Sequence, residues 1–438
     1  MGIIAGTSKR TINCEIGDNL QGQLYPRIAE YIRDDLEANV LFLSDEKESI
    51  LFISCDLVAL TTEYANSIIS EISEKLKIPS SSIIIGCTHT HTGPSTTSLL
   101  YDVPSNKKYL EKLHKVLLEL SEEAKKKAEP AKIGYKKGYA HIGYNRRTCW
   151  QDRTHMMYGD RRKKEGFTGS EGPFDPIHTV LAVVNEKNEL IGIVQNNSCH
   201  STCLENKNYV SADFPGEARR LIREAVGNIP VLYLQGASGD ISPWDMLHPE
   251  KKVSGERRLK EIGSLLAGEI LKLINDINFS DNMVVKTASE KLKVGVRIPT
   301  EEELKKAKEM VDAGEEKTGR WNYILQRSIL KLHNDFKDNP FEEMPINTIK
   351  IGDLSIATNT CELYNQFGLD IKQRSPFKTT MVVQLANGWS GYCPTIYGVM
   401  GGGYSGMTIY WTRLEPYAGY KIVDDTCNLL WQLNESEK

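Results

Sequence analysis

The sequence predicts an α/β fold. Short apolar, β-rich runs ("NVLFLSD", "ILFISCDL", "SIIIGC", "TVLAVVN", "LIGIVQNN" and "VLYLQGAS") alternate with helical patterns over the first two-thirds of the chain. Each run is short enough for a strand and ends in polar or glycine-containing residues, so chemistry is expected at strand ends. No proline- or serine-rich linker and no internal repeat interrupts the 438 residues, which favours one domain over residues 1–438.

The helical patterns between the runs fall at about 62–77, 106–127, 215–226 and 255–277. Residues 300–338 differ in being strongly charged, and "TEEE" places Glu303 three residues after Thr300, the spacing of a capping box. They are expected to form a helical insertion on the surface. Strands then return at "INTIKIGDLSIAT" and "TTMVVQLAN", separated by a helix from about Glu362. A glycine-rich loop, "GVMGGGYSG", precedes a last helix from Glu415.

Composition excludes several classes. A net charge of -4 gives no electrostatic basis for a nucleic-acid partner. The opening "MGIIAGTSKRTINCE" has neither the apolar core of a signal peptide nor the length of a membrane span, and no other run is long enough to cross a bilayer. Nine cysteines scattered from Cys14 to Cys427 are odd in number and do not form a disulfide framework, so a reducing compartment, the cytoplasm, is expected. Oligomeric state is not legible.

Three segments carry residues suited to catalysis. "GCTHTHTGP" follows a strand and supplies His89 and His91; in extended backbone residues two apart face one side, so both rings could enter one pocket. Alone, the pair reads equally as a loop of hydrogen-bonded histidines. A second strand end, "NNSCHST", adds His200, and a catalytic zinc site needs about three protein ligands plus an open position. The third, "LQGASGDISP", runs from a strand into a turn containing Ser242. It is not the GxSxG elbow, and its dipeptides also serve ordinary turns. HExxH is absent.

In order, these segments resemble the catalytic domain of the neutral ceramidase family, zinc-dependent amidases that split N-acylsphingosine. "GCTHTHTGP", "NNSCHST", "SADFPG", "SGDISP" and "GYNRR" are similar to that family's motifs, as are "TCELYNQFG" and "LANGWSGYCPT" towards the end. The resemblance covers nearly the whole chain. It implies central mixed β-sheets flanked by helices, and zinc held by His89, His200, Glu362 on a helix, and Tyr392. It implies His91 as the acid-base group, Tyr404 as the donor to the oxyanion, and Arg146 and Ser242 near the reacting carbonyl, with Ser242 favoured as substrate-binding rather than nucleophilic.

Departures from the family concern substrate delivery. An immunoglobulin-like domain and a leader are not expected in this chain, and "IYGVMGGG" replaces the family's "TREEY" stretch. Zinc-dependent amide hydrolysis is therefore the leading expectation, with a small polar N-acyl substrate preferred over a lipid-like one such as ceramide. A metal-dependent esterase or lactonase, and a non-catalytic binding relative, are the alternatives. Cys87, Cys199, Cys361 and Cys393 flank the four ligand positions and are expected to pack in the core.

Overall fold

A computed structural model describes residues 2–98, 103–157 and 165–435. Its centre is two sheets packed face to face. The first has eight strands, ordered Val231–Gln235, Leu190–Asn197, Ile177–Asn185, Glu129–Tyr139, Ile3–Thr11, Glu37–Ser44, Ser49–Cys55 and Ile83–Cys87. Only the outermost pair at each end is parallel. The second sheet has four strands, Val285–Gly295, Phe341–Ile351, Leu354–Thr358 and Thr379–Val383, of which the last two are parallel.

Apolar side chains close the space between the sheets. Leu41, Phe52, Ile84, Leu181 and Leu232 of the first meet Ile349, Ile356, Met381 and Val383 of the second. The first sheet's outer face is covered by Thr62–Leu76 and Lys107–Lys126 on one half and by Asp213–Val226 and Gly255–Ile274 on the other. The second sheet's outer face is covered by Ala418–Glu435 and Asn365–Arg374. Glu37–Ser44, Ser49–Cys55 and Ile83–Cys87 are near-continuous apolar runs because they are buried on both faces. This is the expected α/β fold, with mixed sheets flanked by helices.

The curl of the first sheet positions the site. Its two edge strands are farthest apart in hydrogen-bonding order, yet Tyr233 of one edge exchanges hydrogen bonds with Ser54, next to the other edge. A Cβ on Gly86 would lie 3.1 Å from Leu234. The ends of Ile83–Cys87, Leu190–Asn197 and Val231–Gln235 therefore open into one place.

The insertion is a helical hairpin, Glu301–Ala313 and Arg320–Phe336, and Thr300 with Glu303 forms the expected capping box. Three expectations need correction. Glu362 is not on a helix: it lies on the two-residue strand Glu362–Leu363, and the helix begins only at Asn365. The last helix begins at Ala418 rather than Glu415. The glycine-rich stretch is not all loop, since Ile396–Gly401 is a short helix with Thr395 capping it. Among the described residues no helix is long and apolar enough to cross a membrane.

Candidate metal centre and active site

His89 lies two residues past Cys87 with φ of 63, a left-handed conformation uncommon for a residue with a Cβ. The backbone is therefore not extended here, and the rule that residues two apart share a side does not apply. The two rings still converge, because the turn brings His89 Nε2 and His91 Nε2 to 3.2 Å. Gly22, with φ of 113, lies so close that a Cβ there would meet His91 at 2.5 Å, so a side chain at this position would displace the ring.

Hydrogen bonds at the back of each ring set the tautomers. Nδ1 of His89 lies 2.7 Å from the Val58 carbonyl, and Nδ1 of His200 lies 2.6 Å from the Ser238 carbonyl. A carbonyl oxygen only accepts, so both Nδ1 atoms carry the proton and both Nε2 atoms present a lone pair.

The His200 lone pair has a donor in Arg146 Nη2 at 3.0 Å, but both Nε2 atoms also face a further acceptor. Glu362 Oε2 lies 3.1 Å from His200 Nε2 and 3.5 Å from His89 Nε2. Trp389 donates to the other carboxylate oxygen at 3.0 Å, so Oε2 is turned inward. Donor atoms of His89, His91 and His200 all lie within 4.8 Å of one another. Such a set needs a proton or a cation at its centre, and the backbone carbonyls behind two rings are the outer contacts that orient metal-binding histidines. The residues present fit a metal ion.

Burial disfavours the charged form of two of the imidazoles, His200 and His91. It pushes His200 down to about 3, with the Arg146 charge adding to the effect, and it holds His91 well below the usual histidine range, with His89 next in importance. A neutral imidazole is the form that binds metal.

Tyr392 is brought in by register, since Glu362 pairs with Tyr392 in a parallel bridge. Arg146 Nη2 donates to Tyr392 Oη at 3.1 Å, to the Gly239 carbonyl at 2.8 Å and to His200 Nε2 at 3.0 Å. Tyr404 packs 5.8 Å from Tyr392 between ring centroids and 5.3 Å from Trp411. His89, His91, Glu362, Tyr392 and Tyr404 all line a cavity of about 70 Å³ that Gln21, Gln23, Leu24, Trp389 and Trp411 complete.

Seven of the eight expected site residues thus come together. Ser242 is the eighth, and its hydroxyl is used in a turn: its Oγ accepts from the Trp244 N–H at 3.0 Å, and its strand pairs with Tyr144, two residues before Arg146. Proximity also does not separate His91 from the ligands, since its Nε2 lies within the same group. The four flanking cysteines are buried in apolar clusters, as expected; Cys361 Sγ, for example, lies 3.9 Å from Met344 Sδ. Trp389 and the carbonyls of Val58 and Ser238 were not anticipated. A tryptophan three residues before Tyr392 was a visible signal, whereas carbonyl roles carry none.

Comparison with known proteins identifies the fold. The structure is similar to "Crystal Structure Analysis of neutral ceramidase from Pseudomonas aeruginosa", with a TM-score of 0.75 at 17% identity over 100% of this chain and 75% of that one. It is also similar to "Ceramidase complexed with C2", with a TM-score of 0.74 at 15% identity over 100% of this chain and 76% of that one. The architecture is therefore that of neutral ceramidases. Residues 29–243 match the family described as neutral/alkaline non-lysosomal ceramidase, N-terminal, and that match together with the fold supports a hydrolase of the ceramidase type. The matched segment contains His89, His91, Arg146 and His200; Glu362, Tyr392 and Tyr404 lie beyond it. No curated protein matches the sequence.

Proposed function

We propose that this chain hydrolyses the amide bond of a short, polar N-acyl compound, with zinc held by His89, His200, Glu362 and Tyr392. Zinc there supplies Lewis acidity, lowering the pKa of water and polarising a carbonyl. The observation that carries the reading is the convergence of imidazole lone pairs and a carboxylate at the end of a cavity that Tyr404 also lines.

The chain's own residues take the remaining roles. His91, neutral and beside the ligand group, accepts the proton of the attacking water and returns it to the leaving amine. The Tyr404 hydroxyl donates to the developing oxyanion. Arg146 holds Tyr392 and the Gly239 carbonyl in place and keeps a positive charge beside the reacting group.

The cavity's size favours a small acyl group. About 70 Å³ corresponds to roughly five water-sized positions, room for a short acyl chain but not for two long ones. A second pocket, of about 400 Å³, is lined by Glu205, Trp244, Asp245, Lys252 and Arg258. That pocket is lined by charged side chains together with Tyr144 and the largely buried Trp244, which suits the polar amine half of the substrate better than a sphingoid chain.

A panel of N-acetyl, N-octanoyl and ceramide amides with matched esters, run with and without chelator, tests the proposal. Chelator-sensitive turnover that falls with acyl length is the expected result. Full turnover by metal-free protein would overturn the metal role; faster turnover of ceramide would overturn the short substrate. Faster turnover of esters would transfer the reading to an esterase on the same fold.

A further inference from the structure

A second group of metal-binding side chains lies outside the cavity just described. Strand Arg147–Trp150 pairs with His155–Met157 on one side and with Phe167–Ser170 on the other. Cys149 is directly opposite His155, so both side chains stand on one face, and Glu171 follows the third strand with its N–H bonded to the Arg147 carbonyl. One donor atom from each of Cys149, His155 and Glu171 lies within 4.8 Å of the other two. All three side chains are buried.

The surroundings are those of a built site. Arg147 donates from Nε to Glu171 Oε2 at 2.6 Å and is itself held by the carbonyls of Gly398 and Gly402 and by Ser405. His155 Nδ1 lies 2.5 Å from the same carboxylate oxygen. A carboxylate oriented by a fixed guanidinium matches the outer contacts that hold metal ligands in place.

The glycine run also finds a reason here. A Cβ on Gly401 would lie 2.1 Å from His155 Nδ1, and one on Gly403, whose φ is 74, would lie 2.8 Å from the His155 carbonyl. The chain therefore closes directly over the imidazole, with the Tyr397 ring 4.4 Å from it, and the next residue is Tyr404.

We propose that Cys149, His155 and Glu171 form a second metal site, which takes a borderline-soft divalent cation of the zinc class. One thiolate, one imidazole and one carboxylate make a donor set for such an ion, and three protein ligands leave a fourth position for water. Burial pushes the Cys149 thiol up to about 11, so binding displaces its proton to solvent. The resulting thiolate and the Glu171 carboxylate offset the two charges of the ion, and the Arg147 charge remains.

Cobalt distinguishes the two sites, because only this one offers sulfur; the cysteines beside the first site are packed in the core. Chelator-stripped full-length protein titrated with Co2+ is expected to take two equivalents, one giving a thiolate-to-cobalt charge-transfer band in the near ultraviolet. His200→Ala should keep the band and lose the other equivalent, and Cys149→Ser should do the reverse. A wild-type titration with no sulfur band overturns the proposal whether or not any variant folds. Persistence of the band in Cys149→Ser overturns it as well.

Discussion

The two histidine-containing clusters share a chemical vocabulary and differ in how they settle charge. In the first, Glu362 faces imidazole lone pairs, and the donor atoms line an open cavity. In the second, Glu171 already has the Arg147 guanidinium at 2.6 Å, and the backbone of Gly401 and Gly403 closes over His155. The first arrangement is costly until an ion or proton enters; the second is largely satisfied as it stands. Open and unbalanced suits chemistry, whereas closed and balanced suits holding the fold.

The contrast can be tested, starting with the largest expected effect. His200→Ala should remove the first metal equivalent and lower amide turnover by roughly a thousandfold or more, read by metal analysis and steady-state kinetics on the same preparation. In chelated protein, Glu171→Gln should cost about 3 kcal/mol of stability, because the buried Arg147 charge loses its partner. Glu362→Gln in the same urea titration should be neutral or stabilising, since it relieves facing lone pairs. Equal losses from both substitutions would erase the distinction.

Smaller effects follow. Tyr404→Phe should lower kcat by about 100-fold with little change in KM, as expected for a donor used in the transition state. Cys149→Ser should lower kcat by less than about tenfold, acting only through the glycine segment that leads to Tyr404. Ser242→Ala should change kcat/KM by about twofold at most, because its hydroxyl serves the Trp244 turn. A hundredfold loss in Ser242→Ala would return the serine to the reaction.

The histidines were legible because they follow strands whose apolar runs end abruptly, and the order of motifs extended that reading to Arg146, Glu362, Tyr392 and Tyr404. Glu362 was placed on a helix because "CELYNQFG" does become one, but only from Asn365; its pairing with Tyr392 takes it into a strand. Ser242 looked chemical because glycine and aspartate surround it, yet the same residues build a turn. The Cys149, His155 and Glu171 cluster was missed. Its members are spread over 23 residues, on two strands and just past a third, and only the strand pairing puts Cys149 opposite His155.

By itself the sequence determined the local elements: buried runs become strands, Thr300 and Glu303 cap their helix, and the residues after each strand are polar. It also determined which side chains could bind metal. Only the tertiary structure decided that they meet. His89 follows an edge strand and His200 the strand next to the opposite edge of the eight-strand order, and they come together because the sheet curls until Tyr233 bonds Ser54. Curl arises from strand twist and from packing against the second sheet, both long-range effects that no stretch of sequence specifies alone.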